Sequence, residues 1–140
     1  MTAKNEKKKN MLKDCDGTGL SHKTCPIFLT LSLIANKWSI QLFHHLLSAE
    51  KRTLRFNQLR TKLTGISQRE LSKHLREFEC AGLVQRTVYP EMPPRVEYTL
   101  TKLGESLLEP TDALSNWAKK YGPQVQKNRE NYSRKKHSAV

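Results

Sequence analysis

The feature that most constrains this 140-residue chain is a change of period at Gly82. Ahead of it, Leu71, Leu75 and Phe78 recur at helical spacing, while Arg69, Ser72, Lys73 and Arg76 fall on another face. Behind it, Val84 to Tyr89 alternates, and Arg95 to Leu100 alternates back. The turn between them, Pro90-Glu91-Met92-Pro93-Pro94, is stiffened by proline. Ser67-Gln68-Arg69-Glu70 is a capping-box pattern that opens the helix, and Gly82 is placed to end it. The chain must therefore run from an amphipathic helix straight into a hairpin.

Upstream, Pro26 suits a first helical turn, followed by Ile27, Phe28, Leu31, Ile34 and Ala35 at helical spacing. Asn36 can cap a second helix, apolar on much of its circumference through Trp38, Ile40, Leu42, Phe43, Leu46 and Leu47. Lys51 to Phe56 reads as a minor strand and Asn57 to Leu63 as a short helix that Gly65 stops. Downstream of the hairpin, Thr101 can cap a helix that Pro110 interrupts, and a last helix uses Leu114, Trp117, Ala118 and Tyr121. Residues 1–20 and 122–140 lack periodicity and read as disordered basic tails around an ordered domain over 21–121. The fold class expected is mainly α with a small β-hairpin (α+β). Its element order is that of a winged helix-turn-helix with extra N- and C-terminal dimerisation helices.

Charge then narrows the partner. Lys and Arg total 25 against 13 Asp and Glu, a net +12, and Lys51 to Arg76 holds eight bases and one acid. A basic island inside an otherwise acidic domain points to a polyanion. In a winged helix the second helix of the turn enters the major groove, where Arg and Lys read guanine and Gln or Asn reads adenine. Gln68, Arg69, Ser72 and Lys73 occupy the first turn and a half of that helix, with Arg76 further along the same face. Ser67 and the first amides offer a phosphate site. Arg52, Arg55, Arg60 and Lys62 would flank it on the DNA backbone, with Arg95 beside the wing turn. The plainer alternative is a solvated basic face, and a winged helix that binds RNA or protein is a rival function. No nucleophile–base pair, paired carboxylates or phosphate-cradling glycine loop suggests an enzyme. No apolar run reaches membrane-span length, the lysine-rich start is no secretory signal, and the cytoplasm is the expected location. Phe28, Leu107, Leu114 and Trp117 give the terminal helices more apolar surface than a core this small absorbs, so a homodimer is expected.

Cys25-Pro26, Lys37-Trp38, Phe56, Leu59, Gly65-Ile66-Ser67, Leu71, Leu75-Arg76-Glu77 and Ala81-Gly82-Leu83-Val84 resemble the HxlR-type winged-helix regulators, relatives of the MarR group. So do Arg86, Tyr89-Pro90, Pro93-Pro94-Arg95-Val96-Glu97-Tyr98 and Leu100-Thr101 with Gly104. The resemblance covers residues 25–118 and implies a bacterial homodimer on a palindromic operator, joined through its first and C-terminal helices. Ala35-Asn36 stands where that family usually has Gly-Gly, Asn57-Gln58 replaces a more acidic pair, and Phe78 and Cys80 also depart; none touches the groove-facing positions.

Three cysteines, Cys15, Cys25 and Cys80, with no CxxC pair, argue for reduced thiols rather than a disulfide framework. Resemblance to the family implies that Cys25 is a regulatory thiol answering oxidants or electrophiles. A helix N-terminus and nearby Lys23 and His22 would favour its thiolate, and Cys15 is a weaker candidate as resolving thiol. The alternative is a packing cysteine in a regulator that answers a ligand with no thiol switch. Cys15, His22 and Cys25 match no zinc spacing, and no metal or other cofactor is expected.

Overall fold

In the computed structural model, residues 25–139 are described. The chain divides after Thr101 into two compact units. The first begins with α1 (Pro26–Ile34) and α2 (Lys37–Ser48), a short 3-10 turn (Glu50–Arg52) and β1 (Thr53–Arg55). It continues through α3 (Phe56–Lys62), α4 (Gln68–Cys80), β2 (Val84–Tyr89) and β3 (Arg95–Leu100). The second unit holds α5 (Lys102–Glu105) and α6 (Leu108–Ser138). This is a mainly helical winged helix-turn-helix with a small antiparallel sheet, as the element order predicts.

Local chemistry explains the boundaries. The Asn36 side chain accepts from the Trp38 amide at 2.8 Å, capping α2. At the far end of α4, the Gly82 amide donates to the Glu79 carbonyl at 3.0 Å and the Leu83 amide to the Phe78 carbonyl at 2.9 Å. That pair of bonds requires a left-handed residue, and Gly82 supplies it at φ +73°. Leu42 and Leu46 of α2, Leu59 of α3, Leu63 just after it, and Leu71, Leu75 and Phe78 of α4 are the largest fully buried side chains. They form the core under the helix-turn-helix. Leu54, Val84, Tyr98 and Leu100 close it from the sheet.

The sheet has three strands in the order β1-β3-β2, all antiparallel. The expected strand over Lys51 to Phe56 shortens to Thr53–Arg55 because Lys51 and Arg52 turn through positive φ, at 51° and 55°. Side chains at such φ values strain the backbone by about 1–3 kcal/mol each, and no glycine or asparagine announces the turn in the sequence. Thr101 directly precedes α5, where the cap is expected. Its hydroxyl donates to the Gly82 and Leu83 carbonyls at 2.6 and 3.1 Å, tying the end of β3 to the end of α4.

Three expectations change more. Gly122-Pro123 suggests the end of order, yet α6 runs through both to Ser138, so the stretch expected as a disordered tail over 122–140 is helical as far as Ser138. One proline removes a single backbone donor, which the remaining turns of a long helix tolerate. Pro110 sits in the first turn of α6, where its missing N–H costs nothing, and so begins that helix rather than breaking one. The three cysteines are not all reduced: Cys80 is free and exposed, whereas Cys25 is disulfide-bonded. The N-terminal tail over 1–20 and the resolving role of Cys15 fall outside the described residues. Among those described, no helix is long and apolar enough to cross a membrane.

Candidate nucleic-acid interface

The interface is built on α4. Ser67 Oγ accepts from the Glu70 amide at 3.1 Å while Glu70 Oε2 accepts from the Ser67 amide at 3.4 Å. The box predicted from Ser67-Gln68-Arg69-Glu70 is therefore closed, and Ser67 is committed to it, leaving the first-turn backbone amides as the donors there. Ser67→Ala is expected to cost about 0.5–2 kcal/mol of stability, read as a lower thermal midpoint. An unchanged midpoint would show that the box contributes nothing.

Behind that cap, Leu71, His74, Leu75 and Phe78 are buried, and Gln68, Arg69, Lys73 and Arg76 are exposed, with Ser72 half-buried. The helix thus turns its leucines inward and holds its guanidinium and ammonium groups in solvent. Among the described residues no carboxylate is within ion-pair distance of Arg69, Lys73 or Arg76. His74 was missed by the apolar pattern because it is polar. It lies on the inner stripe, where Nδ1 stands 3.2 Å from Ser39 Oγ on α2 and 3.5 Å from Glu77 Oε2. This polar link between α2 and α4 satisfies two buried groups that would otherwise be costly.

The flanking cations divide. Arg60 and Lys62 on α3 are exposed; Arg52 is half-buried in the strained turn. Arg55 and Arg95 are joined through one carboxylate. Strand register sets Arg55 opposite Glu97 and Tyr89 opposite Arg95. Accordingly, Arg55 Nε lies 3.8 Å and Arg95 Nε 3.6 Å from Glu97 Oε1. Arg95 also reaches Glu91 Oε1 at 3.3 Å, and its guanidinium stacks 4.0 Å over the Tyr89 ring. The wing arginine is therefore engaged inside the wing rather than standing free. Cross-strand alternation could have revealed this, since residues directly opposite one another on antiparallel strands meet. A cleft of about 560 Å³ lies between the α3 start and the wing, lined by Arg55, Asn57, Gln58, Glu91, Met92 and Arg95 among others. Met92 at the wing tip is 98% exposed.

His45 is half-buried in a second cavity with Glu50, Lys51, Arg55, Lys62 and Glu97. Burial, then the nearby Lys62 and His44, hold its pKa below the usual histidine value, so it is neutral at pH 7. In acid the unfolded chain takes the proton more readily, so this residue withdraws stability as pH falls through the ordinary histidine range. Among the described residues no cluster of His, Cys, Asp or Glu is placed to hold a metal ion.

The candidate control and contact positions are local to their own helices. Cys25 is the N-cap residue of α1 and is buried. Phe28 in α1 and Leu107 ahead of α6 are half-buried, while Leu114 and Trp117 on α6 are 54% and 57% exposed.

Comparison with known proteins is consistent with this geometry. The family model described as HxlR-like helix-turn-helix matches residues 33–126. An HTH-type transcriptional regulator of Methanothermobacter thermautotrophicus is 39% identical over 107 residues, 76% of this chain and 79% of that one. The regulator YdeP of Bacillus subtilis is 39% identical over 103 residues, 74% and 78% of the two chains. Among solved structures, the redox regulator HypR in its reduced form aligns at TM-score 0.64 and 35% identity, covering 73% of this chain and 98% of its own. Reduced YodB of B. subtilis aligns at 0.61 and 32% identity, covering 69% and 94%.

Proposed function

The chain belongs to the HxlR-like helix-turn-helix family of transcriptional regulators, and on that premise we propose that it acts in the cytoplasm as a homodimer on a palindromic operator, with Cys25 as its control point. It is a regulator and not an enzyme. The observation that carries the reading is the outer face of α4: three cations free of carboxylates, held over a buried leucine stripe. Gln68, Arg69, Ser72, Lys73 and Arg76 read base edges, and the amides after Ser67, with Arg52, Arg55, Arg60, Lys62 and Arg95, hold phosphates. Dimerisation is supported by apolar surface that has no cover within its own unit. Ile27, Leu29 and Leu31 are exposed on α1, and no residue of α6 is buried along 31 residues. Phe28, Leu107, Leu114 and Trp117 supply part of that contact.

Control through Cys25 is supported by its place at the α1 cap, its disulfide and two structural relatives, HypR and YodB, whose structures include an oxidised and a diamide-treated form. Selection of bound fragments from random duplex DNA by the protein first reduced with dithiothreitol, with and without subsequent diamide, tests both halves. A twofold-symmetric consensus is expected, with half-sites about 34 Å apart. Diamide is expected to change affinity for it in the native chain and to leave Cys25→Ser unaffected. Recovery of no consensus, with equal binding to duplex and single-stranded RNA, refutes DNA reading. An identical response in Cys25→Ser refutes the switch.

A further inference from the structure

The family match ends at residue 126, but α6 continues as helix to Ser138, and this added stretch carries a pattern of its own. Lys120, Lys127 and Arg134 are spaced seven residues apart, close to two full turns, so they line one face at intervals of roughly 10 Å. Leu114, Ala118, Tyr121, Val125 and Tyr132 follow a separate seam, displaced by roughly 140° around the same helix. The seam suits a second copy, and a copy seated there leaves the cationic face in solvent. Lys135 stands nearest that face, whereas Arg129 and Lys136 fall on the far side, at the edge of the seam, and Glu130 is the single acid after Asp112.

All these cations are exposed. Among the described residues none of them makes an ion pair, and Lys120 Nζ stands 5.1 Å over the Tyr121 ring. A helix that kept its charges for solubility alone has no need to repeat them in register. A polyanion with a regular charge spacing does make use of such a repeat, and duplex DNA presents one in every sequence.

We infer that the far half of α6 is an accessory arm that docks on duplex phosphates beyond the bases read by α4. This rests on the DNA-binding reading above. Tethering makes the second contact intramolecular, so weak individual pairs add to a measurable gain without adding base preference.

The test compares the selected operator, trimmed to its consensus, with the same operator extended by about 15 base pairs of unselected sequence on each side. The full chain is expected to bind the extended duplex about tenfold tighter at low salt. Three neutralised phosphates per arm, six for the dimer, should steepen its salt slope by about 5. The triple variant Lys120→Gln, Lys127→Gln, Arg134→Gln should match the native chain on the trimmed duplex and lose the gain from extension. Arg134→Gln alone, near the helix end, should lose about one third of the added slope, and it decides the matter if the triple variant misfolds. Equal affinity of the native chain for both duplexes overturns the proposal, as does a gain retained by the variants. A stripe that instead drives binding to anionic phosphatidylglycerol vesicles, with no effect of duplex length, overturns it too. Failure of the underlying reading looks different: the trimmed operator itself would then show no preference over random duplex.

Discussion

Phe78→Ala is expected to lower the unfolding free energy by about 3–5 kcal/mol, the usual cost of emptying a large buried aromatic site. Phe78 is only 1% exposed, on the inner face of α4, and its carbonyl also receives the Leu83 amide that ends the helix. The cavity would therefore open where the helix is both packed and terminated. For a domain of this size the loss corresponds to a fall of about 10 °C or more in the thermal midpoint, read at fixed protein concentration because the proposed dimer would couple stability to concentration. Phe78→Leu should cost distinctly less. A shift below about 1 kcal/mol for alanine would mean that α4 is not anchored by this stripe.

Arg69→Ala should act on binding with stability intact. Its side chain is exposed and unpaired among the described residues, so truncation leaves no buried partner stranded. The expected loss on the cognate operator is about 1–3 kcal/mol, or roughly 5- to 150-fold, with relaxed preference at one base position. Lys62→Ala on α3 is the contrasting case. It should weaken all duplexes alike and reduce the salt slope by about 1 per site, because a phosphate contact carries no base information. Competition binding against a panel of single-base operator variants separates the two. If both substitutions gave the same profile across the panel, α4 would not be the reading helix.

Most of the unit up to Thr101 was legible because its signals are local and agree with one another. Asn36, Ser67 and Gly82 bracket their helices through bonds to their own neighbours, and the alternation in Val84–Tyr89 and Arg95–Leu100 fixes which faces meet. The wing turn was legible for the same reason. What escaped was set at a distance. His74 is buried because Ser39, far away in sequence, offers it a partner. Arg95 is engaged because register sets Tyr89 opposite it, while Glu97 follows two residues along on the same strand face. The left-handed turn at Lys51 and Arg52 is imposed by the strand it leads into, against the preference of both residues. Gly122-Pro123 misled in the other direction, since a helix-breaking pair weighs little inside a helix of 31 residues.

The carboxylate shared by Arg55 and Arg95 has a consequence for how the wing meets DNA. Formal charge overstates the pull of this region, since its two guanidiniums already have a tenant. In the complex proposed above, a phosphate arriving here would share these guanidiniums with Glu97, which faces one Nε of each and leaves their other N–H groups able to donate. The wing arginines would then add less to adhesion on arbitrary duplex than their formal charge suggests, and more of that pull would fall to the unpaired cations of α4.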